Sequence, residues 1–353
     1  MTSKTYKRPL QPAPTKLYEK GKFNYASFDG PIANPNLIDA EKPYKLPLPH
    51  LLKWMQLREW QAFQISNGTH FVMVAIYNAK KISLAQFIVY DIVNNKKYRY
   101  EKKVAPWSID VATGLYGTES SYTSRNFSLH AKHDLNSNLL ELTASIKNQK
   151  GLPDVEAKFT GNHDVTRYEP MVVCMPFSEK RAMYSHKCLM PVSGSIQFGK
   201  DVIPFPEKIS QLIIDDHKGY YPYPTVYDWV TGMGRDAEGK LIGFNCTDNQ
   251  VLDHEKNNEN CLWHDGKLSV LPPIRVTRPN GYKGTWYVKD NYGKVDLEFR
   301  PVIHTAVDVN LLILRSKYQG PYGFFNGFIK NRDGEKIEIK EMFGMGEDFY
   351  LRA

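Results

Sequence analysis

The sequence predicts an all-β, antiparallel protein built from two barrels or two curved sheets in tandem. Three observations carry this. Apolar and polar residues alternate with period two in many runs, as a strand with one dry and one wetter face requires. Examples are Leu140, Leu142, Ala144 and Ile146 against Glu141, Thr143 and Ser145, and Val295, Leu297 and Phe299 against Asp296, Glu298 and Arg300. Ile337 and Ile339 alternate likewise with Lys336, Glu338 and Lys340. Turn dipeptides fall between such runs at Asn67-Gly68, Asp265-Gly266, Asn280-Gly281 and Asp333-Gly334. Neither a βαβ rhythm nor a fixed-period repeat is present, which disfavours α/β folds, propellers and solenoids.

Taken in order, residues 1–45 form a poorly patterned basic leader. Residues 46–190 form the first barrel, in which only His50 to Gln61 has helical character, through Leu51, Leu52, Met55 and Leu57. The break is expected near Pro191, after the Met183–Met190 run, and residues 191–353 form a second barrel that carries the candidate site.

Composition excludes several classes. Of 353 residues, 42% are hydrophobic and 24% charged, which rules out a disordered, collagen-like or disulfide-dense chain. The longest apolar run, Phe71 to Tyr77, falls far short of the ~20 residues a membrane helix needs. Cys174, Cys188, Cys246 and Cys261 form no metal-finger spacing and are expected as free thiols. With no apolar signal segment at the start, the expected location is cytoplasmic, and the sequons at Asn67, Asn126 and Asn245 carry no weight.

The net charge of +8 is concentrated at one end. The leader holds Lys4, Lys7, Arg8, Lys16, Lys20, Lys22, Lys42 and Lys45 against only Glu19, Asp29, Asp39 and Glu41. No later stretch interleaves basic and aromatic residues as a nucleic-acid face does, so no specific nucleic-acid binding is expected. Two fates are open to the leader. It can touch anionic membranes weakly, or it can cross the barrels as a strap.

The densest chemistry lies in Ile213 to Trp229. Within a strand, Asp215 and His217 point one way and Asp216 and Lys218 the other, so one pair faces the interior. A carboxyl among apolar neighbours is desolvated, which raises its pKa and suits it to donate a proton near neutrality. Aromatic company comes from Tyr221, Tyr223, Tyr227 and Trp229. A second polar stretch, Asn257 to Gly266, offers Glu259, Asn260, Trp263 and His264 just before a turn. Asn245 and an inward-pointing His304 complete the candidates. No metal-ligand pattern, phosphate loop, dinucleotide fingerprint or elbow serine is present, so neither metal nor cofactor is expected.

Three stretches, DDHKGYYPYPTVYDW, GKLIGFNCTDN and NNENCLWHDGKL, resemble the lipocalin-like proteins labelled domain of unknown function 2804. The matching positions are Asp215, Lys218-Gly219, Tyr221-Pro222-Tyr223, Trp229, Glu259-Asn260, Trp263 and Asp265-Gly266. MVVCMPFSEKRAMYSHK and VNLLILRSKYQGPYGFFNGFI also resemble it, so the likeness spans most of the chain. The architecture is more distantly similar to carotenoid 1,2-hydratase and AttH-like proteins. That resemblance implies two lipocalin-like barrels and a hydrophobic ligand. The hydratase relatives protonate an isoprenoid double bond and add water. Where many members carry an aromatic residue and Gly after the first Asp, this chain has Asp216 and His217.

Two functions follow as expectations. One is a cofactor-independent lyase or isomerase acting on a large apolar, isoprenoid or lipid-like substrate in the C-terminal barrel or between the barrels. Asp215 or Asp216 would be its acid, tuned by His217 and Glu259. Lys218, Tyr221, Tyr223, Tyr227, Trp229, Asn245, Asn260, Trp263 and His304 would bind substrate. The other is a lipid or pigment carrier without chemistry.

Overall fold

The computed structural model describes residues 6–310 and 315–352. Strands dominate it, and the described residues include one seven-residue helix, His50–Gln56, and two short 3₁₀ turns. The main path of the first sheet runs Lys96–Val104, Ser83–Asp91, His70–Asn78, Arg58–Ser66, Gln211–Gly219, Arg181–Phe198, Val155–Asn162, Leu139–Ile146, Phe127–Asp134, Thr118–Ser124. The second runs Lys267–Val270, Cys261–His264, Leu241–Asp248, Thr225–Arg235, Lys336–Arg352, Tyr322–Lys330, Val295–Ile303, Trp286–Asp290, Ile274–Thr277. Neighbours along both paths are antiparallel, and each sheet curls around its own apolar interior, so the tandem-barrel expectation holds. The alternating runs read from sequence lie in Leu139–Ile146, Val295–Ile303 and Lys336–Arg352. Asp265 and Gly266 both adopt positive φ between two paired strands, the backbone that a tight two-residue hairpin demands.

The changeover between sheets is not at Pro191. That residue lies inside the continuous strand Arg181–Phe198. On one side, residues 183–191 of this strand pair with Gln211–Gly219. On the other, the ladder to Met171–Ser178 ends at Lys187 and the ladder to Val155–Asn162 begins at Val192. Pro191 falls in that gap, where a missing N–H costs no ladder bond on that side. The chain passes to the second sheet only between Gly219 and Thr225, so Gln211–Gly219 belongs to the first sheet.

The two sheets meet face to face. One core cluster joins Phe71, Tyr90 and Leu189 of the first with Met233, Tyr322, Phe343 and Met345 of the second. Tyr90 stacks on Phe343 at 4.9 Å, and Phe71 meets the same ring at 5.5 Å. A separate cluster fills the second sheet's own interior around Trp286, Phe299 and Phe325. The leader packs as a strap. Leu17, Phe23, Phe28 and Leu37 bury into a third cluster with Val172, Tyr184 and Tyr220. Lys4 lies outside the described residues.

Candidate functional site between the sheets

Every residue of Gln211–Gly219 is buried, because both faces of this strand are covered. One face looks into the first sheet's interior and the other across to the second sheet. The Asp215–His217 and Asp216–Lys218 pairs are therefore both desolvated, and they lie in different places.

On the intersheet face, Lys187 is the hub. It is the register partner of Asp215 on the neighbouring strand. Its Nζ lies 2.6 Å from Asp215 Oδ1 and 3.6 Å from Glu259 Oε2, and it sits 5.8 Å from the Trp229 ring. Burial alone would lift the Asp215 carboxyl, but Lys187 and His217 overcome it and hold that carboxyl well below the usual range. Burial likewise opposes the Lys187 charge, and Asp215 with Glu259 reverses that and raises its pKa. His217 Nδ1 lies 3.4 Å from Asp215, and its ring stacks on Trp60 at 4.2 Å. Tyr221 adds a further wall, 5.7 Å from Trp60 and 5.3 Å from Phe177.

The second sheet contributes Glu347, the register partner of Trp229. The hydroxyls of Tyr227 and Tyr318 donate to its carboxylate at 3.0 and 2.8 Å. Burial lifts its pKa to about 7 despite these donors, with the Asp215 charge adding to the rise. Glu347 keeps partial exposure, as do Trp60, Tyr227, Trp229 and Tyr318, so solvent reaches these groups. Arg58 borders the cleft, its guanidinium 5.5 Å from the Tyr221 ring. The walls thus combine Asp215 and Glu259 with Lys187 and Arg58, and they present the π faces of Trp60, Tyr221 and Trp229 beside the two carboxylates. The π faces and the carboxylates favour a positive charge placed against them.

The opposite face holds a closed polar cluster. Asp216 Oδ1 accepts from Gln61 Nε2 at 3.2 Å and lies 3.6 Å from Lys218 Nζ. Lys218 donates to the Ala112 carbonyl at 2.5 Å. Burial raises the Asp216 pKa. His163 and His186 sit beside it with their Nε2 atoms 3.2 Å apart, and burial lowers the pKa of both.

This geometry sorts the residues predicted from sequence. Asp215, His217, Glu259, Tyr221, Tyr227 and Trp229 converge on the cleft. Asp215 is held ionised by Lys187 and cannot serve as the proton donor. Asp216 and Lys218 face away and are sealed, so Asp216 cannot reach a substrate in the cleft. Asn245 supports the cleft from behind. Its Oδ1 accepts from Trp229 Nε1 at 2.6 Å, and its Nδ2 donates to the Glu259 carbonyl at 3.0 Å. Asn260 is structural, bonding Thr247 N and the Pro272 carbonyl. Trp263 is core, with its Nε1 donating to the Glu169 carbonyl. Tyr223 is 65% exposed in the connection between Gln211–Gly219 and Thr225–Arg235. His304 makes no hydrogen bond, ion pair or ring contact with these groups among the described residues. Sequence reasoning missed Lys187, Glu347, Trp60 and Tyr318. The available signal was a lone charge in an otherwise apolar run, as Lys187 is in MYSHKCLMP.

Two curled antiparallel sheets, face to face over a charged aromatic cleft, define a tandem lipocalin-like β protein. The chain belongs to the family described as domain of unknown function (DUF2804), whose model matches residues 16–352. No curated protein sequence matches it. Similar solved structures include CghA with Sch210972, at a TM-score of 0.52 and 9% identity, covering 84% of this chain and 89% of that one. Kievitone hydratase from Nectria haematococca aligns at a TM-score of 0.50 and 12% identity, covering 83% and 88%. At these identities the likeness concerns the fold.

Proposed function

We propose that this protein is a cofactor-independent hydratase or isomerase that protonates a carbon–carbon double bond of a large apolar, isoprenoid or lipid-like substrate in the intersheet cleft. The single observation that carries the reading is Glu347, a carboxyl lifted to about 7 by burial, partly exposed and oriented by two tyrosine hydroxyls. Such a group is protonated in a large fraction of molecules at neutral pH and has a proton to give.

In this reading Glu347 delivers its proton to one alkene carbon, and the positive charge that develops on the other is stabilised. The faces of Trp60, Tyr221 and Trp229 and the carboxylates of Asp215 and Glu259 supply that stabilisation. Water then adds to the cation and loses a proton to a carboxylate, or a neighbouring carbon loses a proton and the double bond moves. We assign that role to Glu259, whose Oε2 makes the ion pair to Lys187 and no hydrogen bond among the described residues. The shared fold with kievitone hydratase supports this reaction class.

The test is incubation of purified protein with a panel of isoprenoids and unsaturated lipids in deuterated water, with products followed by mass spectrometry. Glu347→Gln should cut turnover by about 10²-fold or more. Wild-type turnover in that variant refutes the assignment. Recovery of an unaltered stoichiometric lipid from the native host, with no turnover of any panel member, identifies a carrier instead.

A further inference from the structure

Most large apolar side chains exposed on this molecule are scattered, but one group is not. The helix His50–Gln56 buries none of its residues. Leu51 is 65% exposed, Leu52 45% and Met55 38%. Ile82 in the turn after His70–Asn78 is 55% exposed, and Trp107 after Lys96–Val104 is 83% exposed.

Specific contacts tie these three segments together at one end of the first sheet. Lys80 Nζ lies 4.8 Å from the Trp54 ring and pairs with Glu59 at 2.5 Å. Asn78 Nδ2 donates to the Pro106 carbonyl at 2.9 Å. The Ala79 N–H donates to the Ile82 carbonyl, closing the turn.

Basic residues predominate around these side chains, and the acids Glu59 and Glu101 are paired, with Lys80 and with Arg99 and Lys103. Residues 42–58 contain Lys42, Lys45, Lys53 and Arg58 and no acid. Lys81 flanks Ile82, and Lys102 and Lys103 precede Trp107, with no acid from 102 to 109. Protruding Leu, Met, Ile and Trp within a basic surround match an anionic bilayer. The apolar tips enter the headgroup–acyl boundary while the lysines meet lipid phosphate and carboxylate groups.

We infer that this end of the first sheet, formed by Leu51, Leu52, Met55, Ile82 and Trp107 with their lysine surround, is a docking surface for anionic lipid membranes. The leader offers a bilayer little apolar surface, because Leu17, Phe23 and Tyr6 are turned inward. The surface also borders the cleft. The helix leads through Leu57 directly into the strand that carries Arg58 and Trp60, and Arg58 Nη1 donates to Thr225 Oγ1 at 2.9 Å beside the cleft. A bilayer-dissolved apolar molecule would reach the cleft without crossing water. The docking itself does not depend on catalysis.

Co-sedimentation with extruded vesicles tests this on the full chain. Vesicles of phosphatidylcholine alone are compared with vesicles containing 3:7 phosphatidylserine, at low and high salt. Wild type should pellet with the anionic vesicles at low salt and be released by high salt, with a blue shift in tryptophan emission. The triple variant Leu51→Glu, Leu52→Glu, Trp107→Glu should bind about tenfold more weakly or worse. All three positions are exposed, so an unchanged circular dichroism spectrum and melting curve confirm an intact fold. Equal binding by the variant, or failure of wild type to bind anionic vesicles at low salt, overturns the proposal. So does a wild-type dimer that the same substitutions dissociate, which would assign the face to a second copy.

Discussion

Two carboxyls in one cleft ionise in opposite senses. Asp215 has a lysine at 2.6 Å, whereas Glu347 has only tyrosine hydroxyls within hydrogen-bond reach among the described residues. The rate of any reaction that uses the Glu347 proton should therefore fall as pH rises through about 7. Stability carries the same signature. An unfolded glutamate titrates near 4.3, so between about that pH and about 7 the unfolded chain has lost a proton that the folded chain keeps. Stability falls across that window and levels off above it. Glu347→Gln cannot ionise, so it should be more stable than wild type at pH 8 by on the order of 1–3 kcal/mol, with no gain at pH 4. An equal melting shift at both pH values contradicts this. Asp215 has the reverse sign, because its folded pKa is depressed. Its contribution is present above the unfolded value and disappears as pH falls through the folded one. Lys187→Met strands Asp215 and Glu259 as buried, uncompensated charges and should cost ~3–5 kcal/mol in urea unfolding. Adding Asp215→Asn should recover part of that loss.

Within single elements, parity was legible and burial was not. The alternation of Asp215 and His217 against Asp216 and Lys218 follows from strand geometry alone. That both faces are dry depends on a second sheet that no local pattern announces. The same limit hid Glu347, which sits late in Lys336–Arg352, a strand whose early half alternates cleanly and whose later half faces a mixed cleft. The strap raises a further point. Arg8 is 6% exposed, and its guanidinium donates to Ser27 Oγ at 2.6 Å, to the Asn260 carbonyl at 3.0 Å and to the Asn258 carbonyl. Those two carbonyls flank Glu259, so the strap pins the loop that presents this carboxylate. Arg8→Met should lose ~1–3 kcal/mol of stability. It should also speed amide hydrogen exchange across residues 254–260 more than in the Phe71 or Tyr90 strands. Uniform acceleration throughout the chain would show a global effect and no local pin.

At the scale of the whole molecule, the all-β class and tandem architecture were readable from alternation and turns. The division of the chain was not, since Pro191 is punctuation only if its strand has partners on both sides at that point. Gln211–Gly219 lies between Arg58–Ser66 and Arg181–Phe198, so a fragment ending at residue 190 lacks an interior strand of its own sheet. That fragment should be insoluble. Residues 1–222 and 223–353, each exposing the apolar intersheet face alone, should aggregate separately and co-purify as a soluble pair when expressed together. Size-exclusion chromatography with detection of both pieces decides this. Soluble, independently folded halves would show that the Phe71–Tyr90–Phe343 contact is dispensable.

The central strand also bears on how the chain finds its correct pairing. Where one face of a strand is wet, a one-residue slip is punished by exposing oil to water. Gln211–Gly219 is buried on both faces, with Ile213 and Ile214 side by side, so hydrophobicity is nearly blind to such an error. The discriminating cost falls on ions. A slipped strand would carry Asp215 away from Lys187, and Asp216 and Lys218 away from Gln61 and the Ala112 carbonyl. The buried charges thus act as an alignment mark between neighbouring strands, and fidelity of assembly rests on ionic complementarity where oil and water cannot tell right from wrong.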